Sequence, residues 1–384
     1  MLGGNQITLL RSGGEYFPAL EAAIDEAQYE IYLQTYIFEM DHIGIRIANA
    51  LKRAAQRGVL VCLLLDGFGC RTLDKQHIQK LEEASVNVML FRPKVSPWTL
   101  KRNRLRRMHQ KMAVIDGRVG FVGGINIIDD NNTPDQTPPR VDYAVRVEGV
   151  LLQSMRYSVT SLWRKMTWFH FRKKTQSNLP DTLAKQRVGN MHAQFLLRDN
   201  VMHRREIEDA YLDLIRRAKQ EILIANAYFL PGLRFRHALR DAAKRGVKVT
   251  LLLQGRVEYV LLDFASHALY SHLLSDGIEI YEYKKSFMHS KVAVVDGRWA
   301  MVGSSNIDPF SLMMSREANI LVDDAAFTKE LRDDLSEAIK KGASKVTQSN
   351  WLRQHYFKRL LSWLVYGLVR VMMGFAGYSE RSAE

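Results

Sequence analysis

The sequence predicts an α/β protein made of two homologous halves followed by a separate tail, and three observations carry that expectation. Segments recur in the same order at offsets that run from 191 down to 180 residues. Short β-branched apolar runs alternate with amphipathic segments that end in Arg-Gly or Asp-Gly, the pattern of layered helices and strands. Residues from about 346 onward match nothing in the first half. An internal repeat of this size constrains the fold more than local propensity does.

Taken in order, EIYLQTYIF (Glu30 to Phe38) returns as EILIANAYF (Glu221 to Phe229). LKRAAQRGV (Leu51 to Val59) returns as LRDAAKRGV (Leu239 to Val247), and each copy is followed by a strand-like run, LLLDG at Leu63 or LLLQG at Leu251. In the first half Ile24, Ala27 and Tyr29, and later Ala48, Leu51, Ala54 and Ala55, fit helical faces, with Gly58 as a C-terminal stop. Val59 to Leu65 then reads as a strand buried on both faces. Polar residues and Pro180 break the periodicity between Lys173 and Asn190, which places a boundary there. The expected units are residues 1–178, 179–345 and a tail, 346–384.

Composition narrows the class. The 384 residues are 47% hydrophobic and 25% charged, an ordinary globular balance. Cys62 and Cys70 cannot build a disulfide framework, so a reducing compartment is expected. Met1 to Gly14 lacks the charged and apolar regions of a secretory signal, and no stretch offers about 18 uncharged apolar residues. Lys plus Arg number 55 against 41 Asp plus Glu, a net charge of +14. Such a surface seeks polyanions, either nucleic acid or anionic headgroups.

The chemistry lies in MHQKMAVIDGRVGFVGGIN (Met108 to Asn126) and MHSKVAVVDGRWAMVGSSN (Met288 to Asn306). Each holds H-x-K-x4-D, giving His109, Lys111 and Asp116, then His289, Lys291 and Asp296, as candidate catalytic residues. Asp-Gly between apolar runs signals a hairpin, and period 2 puts the histidine and lysine of each set on one face. Turn position gives Asp116 and Asp296 a structural reading beside the catalytic one. Small residues precede Asn126 and Asn306, so a ligand can approach the backbone beside an amide donor. Lysine suits a phosphoryl group, and histidine can act as nucleophile, acid or base near neutral pH. One histidine could attack phosphorus while the other protonates the departing oxygen. No Cys-His cluster suggests zinc, and neither metal nor cofactor is expected.

The doubled H-x-K-x4-D followed by G-G/S-x-N resembles the phospholipase D superfamily over nearly all of the chain to about residue 345. Within it, RRMHQKMAVID, DYAVRVEG, IANAYFLPG, VGSSNIDPFSL and REAN resemble bacterial cardiolipin synthases of the B type, which lack N-terminal membrane spans. The resemblance implies two α/β/α sandwich lobes with the active site at their interface, and metal-independent phosphatidyl transfer. It implies that His109 is the nucleophile, forming a phosphatidyl-histidine, and that His289 is the acid and then the base. Lys111, Lys291, Asn126 and Asn306 would hold the phosphoryl oxygens. Asp142 and Glu317 match the acidic residues that orient the histidine of the opposite half, His289 and His109 respectively. The implied reaction joins two phosphatidylglycerol molecules into cardiolipin and glycerol, with phosphatidylethanolamine as a second possible donor. The rival reading is a phosphodiesterase, either a phospholipase D-type hydrolase or a nuclease. A scaffold with inactive motifs is disfavoured by two intact sets.

Two further segments bear on the substrate. Between Ala84 and Ile115 there are eight basic residues and no acid, with Lys101, Arg102, Arg104, Arg106 and Arg107 crowded before His109 and Trp98 among them. This reads as a rim that collects headgroups, or as a solvated basic loop. WRKMTWFHFRKK (Trp163 to Lys174) reads either as a helix packed on the sheet or as an interfacial segment. The tail from Trp351 to Ser379 has no acids, four basic residues and many aromatics. It reads as an amphipathic helix lying in the headgroup layer, or as one docked on the protein. A peripheral protein on the cytoplasmic face of the bacterial inner membrane is expected, with no nucleic-acid partner.

Overall fold

The structure, a computed structural model, describes residues 1–93, 106–133, 136–171, 186–255 and 260–348, with isolated positions at 175, 177–180, 364, 365 and 367. The basic run 98–105, the residues 172–174 and nearly all of the expected tail helix lie outside the described residues.

In the first half the strands are β1 (Leu2–Arg11), β2 (Glu30–Thr35), β3 (Leu60–Asp66), β4 (Asn87–Phe91), β5 (Lys111–Ile115), β6 (Val119–Gly123), β7 (Arg140–Val141) and β8 (Tyr143–Gly149). The helices are α1 (Ser12–Asp25), α2 (His42–Gln56), α3 (Lys75–Glu83) and α4 (Leu152–Phe169). The second half repeats this plan with β9 (Met191–Arg198), α5 (Glu206–Arg217), β10 (Glu221–Asn226), α6 (Leu233–Lys244), β11 (Lys248–Gln254), α7 (Val260–Ser275) and β12 (Glu279–Tyr283). It continues through β13 (Phe287–Met288), β14 (Lys291–Val295), β15 (Trp299–Gly303), the short α8 (Pro309–Met313), β16 (Glu317–Asp323), α9 (Ala325–Gly342) and β17 (Ala343–Val346).

Fifteen strands form one sheet in the order β17-β12-β11-β10-β14-β15-β16-β9-β1-β8-β6-β5-β2-β3-β4. Read outward from the β1–β9 pair, the two arms have the same order, with β17 added at the outer edge of the second, so the repeat in sequence is a repeat in topology. β1 and β9 pair antiparallel only near their N-terminal ends. From there the arms fold toward each other, with β6 and β8 facing β15 and β16.

Apolar patterning follows from this arrangement. α1, α2 and α3 cover one face of the first arm, and α5, α6 and α7 cover the matching face of the second. The remaining faces of both arms, with α4 and α9, enclose one shared core that includes Val122, Val145, Met155, Val302, Ile320 and Leu331. Neither half can bury that surface alone, so the hydrophobic effect docks the two halves.

Leu60 to Asp66 is the expected buried strand. α1, in contrast, stops at Asp25, and Ala27 and Tyr29 lie beyond it. The cause is Asp116, whose carboxylate accepts the backbone N–H groups of Gln28, Tyr29 and Glu30 at 2.7–2.8 Å. Those donors are thereby fixed to a distant turn and withheld from a helix. WRKMTWFHFRKK divides: Trp163, Met166 and Thr167 are buried on the sheet, whereas Trp168, Phe169 and Phe171 are exposed.

Candidate active site

Each histidine sits where a strand begins, at the edge where the two arms converge. Its backbone is fixed by its own half and by the opposite one. The Met108 N–H donates to Asp66 Oδ2 at 2.8 Å, and the equivalent Met288 N–H donates to Gln254 Oε1 at 3.0 Å. The His109 N–H donates to the Arg316 carbonyl at 3.0 Å, and the His289 N–H donates to the Val141 carbonyl at 2.8 Å. These crossed bonds belong to a parallel bridge between Met108 and Arg316 and to the parallel β7–β13 pair. Parallel pairing means that the catalytic ends of both arms point the same way.

The side chains cross as well. His109 Nδ1 lies 2.9 Å from Glu317 Oε1, and His289 Nδ1 lies 2.7 Å from Asp142 Oδ2. A carboxylate at Nδ1 holds the proton there and leaves Nε2 as the free nitrogen. Both rings are largely enclosed, with 17% and 12% of the His109 and His289 side chains exposed. Tyr36 stands edge-on to His109 with ring centroids 4.9 Å apart, and Tyr228 and Phe287 flank His289.

The lysines are buried beside them. Lys111 Nζ donates to the His109 carbonyl at 2.6 Å and lies 5.3 Å from the centre of the Tyr36 ring. Lys291 Nζ touches the His289 carbonyl and lies 2.7 Å from His289 Nδ1 and 3.5 Å from Asp142 Oδ2. Nδ1 cannot both donate to Asp142 and accept from Lys291. The carboxylate contact fits better, because it pairs opposite charges and leaves the ammonium its other acceptors. Asn126 Oδ1 accepts the Ile37 N–H at 3.1 Å, which leaves Nδ2 to serve a ligand. Asn306 Oδ1 is buried with no partner among the described residues.

Burial and like charge set the protonation states. Burial, with Lys291 adding to it, brings the Lys111 pKa down to about 7 against the opposing pull of Glu317 and Asp142. Lys111 and Lys291 are therefore close enough to repel. Burial, followed by Lys291, brings His289 down to about 3 against the pull of Asp142. His109 is lowered chiefly by burial, with Glu317 opposing. Asp142 would be raised by burial, but Lys291 and His289 outweigh that and hold it below the usual carboxylate range. Two imidazoles, each on a carboxylate and beside a lysine, can deliver a nucleophile and a proton carrier to one anionic centre.

Four of the six H-x-K-x4-D residues come together in this way. Asp116 and Asp296 do not, which corrects their place among the candidate catalytic residues. They lie beyond strands β5 and β14, five residues each, at the far end of the sheet. Both have positive φ, 51° and 52°, as the following glycines do, which makes them hairpin turns that favour Asp-Gly. Their carboxylates tie down the segments before β2 and β10, with Asp296 accepting the Lys219, Gln220 and Glu221 N–H groups.

Several contributors escaped sequence reasoning. The Ser304 hydroxyl donates to Glu317 Oε2 at 2.5 Å, while its counterpart is Gly124, where a Cβ would overlap the Asp142 carboxylate. Asp66 also pairs with Arg107 at 2.9 Å, which fixes the chain entering His109. Gly124 and Ser304 stand in the repeated G-G/S-x-N, and Asp66 and Gln254 in the LLLDG and LLLQG pair, but neither pattern shows what these residues touch.

A family model described as "Cardiolipin synthase, PLD-like domain" matches residues 20–136 and again 211–339. The chain is 38% identical to cardiolipin synthase B of Salmonella typhimurium over 98% of its own length and 90% of that protein's. It is 35% identical, with the same coverage, to cardiolipin synthase B of Escherichia coli K12. Among solved structures, phosphatidylserine synthase of Haemophilus influenzae superposes with a TM-score of 0.68 at 13% identity, covering 97% of this chain and 95% of that one. That likeness extends the shared fold to both lobes.

Proposed function

The chain belongs to the phospholipase D-like cardiolipin synthase family, and from that premise we propose that it joins two phosphatidylglycerol molecules into cardiolipin, releasing glycerol. The observation that carries this reading is the crossed pairing of His109 with Glu317 and His289 with Asp142, which unites two His-Lys-Asn sets on one phosphorus. The lobes of residues 1–178 and 179–345 each supply one set.

In the first step His109 Nε2 attacks phosphorus as the P–O bond to the headgroup glycerol breaks. As the anionic phosphodiester binds and offsets the repulsion of Lys291, His289 takes up a proton at Nε2 from solvent. It gives that proton to the departing oxygen. In the second step neutral His289 takes the proton of an incoming hydroxyl as that oxygen displaces His109. Glu317 and Asp142 stabilise each imidazolium in turn. Lys111, Lys291, Asn126 and Asn306 hold the non-bridging oxygens. The division of labour between the histidines follows the family likeness. The donor's headgroup leaves before the acceptor reacts, so phosphatidylethanolamine can serve as donor as well.

A bilayer surface is the setting that the exposed side chains support. β8 runs away from the cleft and α4 returns toward it, so Trp168 and Phe171, 73% and 97% exposed, end near the cleft. Val201 and Met202 protrude just past the cleft end of β9 in the other lobe. With the +14 charge and the basic aromatic tail, 346–384, these favour peripheral attachment to the cytoplasmic face of the inner membrane. No described helix is long and apolar enough to cross a membrane.

Mass spectrometry of lipids after incubation with phosphatidylglycerol vesicles and a chelator tests the proposal. Cardiolipin and free glycerol are expected. Phosphatidic acid alone would make the protein a hydrolase, and cleavage of single-stranded DNA without lipid products would make it a nuclease.

A further inference from the structure

The two histidines have unlike surroundings. Beside Glu317, the carboxylate that meets His109, the second lobe places two enclosed arginines, whereas His289 has Arg140 of the first lobe near it. Arg198 ends β9 directly opposite Glu317 and is 2% exposed. Arg316 adjoins Glu317, with 16% of its side chain exposed. The Nε atoms of both are buried without a hydrogen-bond partner among the described residues. Arg198 Nη1 meets the Ser315 carbonyl, and Arg316 Nη1 approaches Asp199 Oδ2 only to 3.8 Å, beyond hydrogen-bond length. Arg106 lies near enough to Arg198 to be felt as a like charge.

Internal symmetry shows that this group is an addition. Arg198 lies opposite Glu317 as Ser12 lies beside Asp142, where the Ser12 N–H donates to the Asp142 carbonyl at 2.8 Å, so its counterpart is a serine. Arg316 corresponds to Val141, and Arg106 to Ser286. The nearby acids are already engaged, since Asp199 Oδ1 accepts the Val201, Met202 and His203 N–H groups and Glu317 holds His109 and Ser304. Guanidiniums stay charged, and the buried Nε donors of Arg198 and Arg316 are met by no described residue. That arrangement is costly unless an anion completes it. Burial lowers the Arg198 pKa to about 10, Glu317 and Asp199 oppose this, and Arg106 and Arg316 add to it.

We propose that Arg198 and Arg316, with Arg106, form a second phosphate subsite that takes the phosphodiester of the acceptor phospholipid. This rests on the cardiolipin synthase reading, in which the acceptor carries its own phosphate one glycerol away from the attacking hydroxyl. Water and small neutral alcohols carry no such group. The subsite therefore favours an anionic lipid over water as acceptor, a choice that the histidines themselves cannot make.

Phosphatidylglycerol vesicles containing ethanol let two acceptors compete for one donor. The ratio of cardiolipin to phosphatidylethanol is measured for the wild type, Arg316→Gln and Arg316→Lys. The expected result is a fall of about tenfold or more in that ratio for Arg316→Gln and a smaller fall for Arg316→Lys. An unchanged ratio in Arg316→Gln, or parallel loss of both products in both variants, would overturn the subsite. A changed affinity for anionic vesicles at constant ratio would also overturn it, since the arginines would then serve membrane capture. Wild-type protein that makes phosphatidylethanol but no cardiolipin would instead refute the synthase reading.

Discussion

The two halves repeat one strand order and hold the carboxylates that meet their histidines by different means. Asp142, the shorter acid, reaches His289 across a gap that Gly124 keeps open, and its other oxygen accepts the Tyr143 N–H at 2.8 Å. Glu317 is one methylene longer, and the Ser304 hydroxyl occupies the place that Gly124 leaves empty. Asp142 also faces the buried Lys291, whereas Lys111 has the His109 carbonyl and the Tyr36 ring beside it. A duplicated fold thus preserves the function of a contact while its parts diverge, provided that length and volume change together.

The largest effect should come where the halves do not differ. His109→Ala and His289→Ala should each lower turnover by about a thousandfold or more, because members of one catalytic unit do not substitute for each other. Substantial turnover in either variant would break the equivalence of the two sites. Next in size are the carboxylates, where the halves should separate. Asp142→Asn strands the buried Lys291 and weakens His289, so kcat should fall about 10³- to 10⁴-fold with a measurable loss of Tm. Glu317→Gln keeps the Ser304 contact and should be milder in both readouts. Equal losses would show that the Lys291 contact carries no weight.

The space around each acid gives a smaller, sharper contrast. Gly124→Ala pushes a methyl group into Asp142 and should reduce kcat by about 10²-fold or more through misplacement of His289. Ser304→Ala removes one hydrogen bond to a carboxylate and should lower unfolding free energy by about 1.5–3 kcal/mol, read by denaturant titration. Reversal of that order in kcat would mean that Glu317, not Asp142, is the more tightly held group.

The smallest effect is a pH dependence. Lys111 is lowered to about 7, so it is charged below that pH and loses its proton above it. If free-enzyme Lys111 must be charged to hold the phosphoryl group, kcat/KM falls as pH rises through about 7. Lys111→Arg should move that alkaline limb upward. An unmoved limb would assign it to another group.

How legible all this was in sequence depended on the distance over which each feature acts. The lobes, the hairpins and the four histidines and lysines are local patterns written twice, so periodicity and repetition exposed them. Asp142 and Glu317 came from family resemblance alone, since 147 and 208 residues separate them from their histidines. Ser304, Asp66 and Arg198 act through contacts that exist only once strands pair or lobes meet. Asp116 shows the opposite error, because its regular spacing from His109 records a turn position and not a shared site.

Synthesis proceeds from the N-terminus, and the crossed contacts give that order a consequence. When the ribosome has released only the first lobe, His109 still lacks both Glu317 and the Arg316 carbonyl that fixes its backbone. The nascent chain therefore carries half of a phosphorus chemistry that is incomplete until the second lobe folds against it. The order of synthesis thus delays assembly of the site until the lobe that carries Glu317, His289 and Lys291 has folded onto the first.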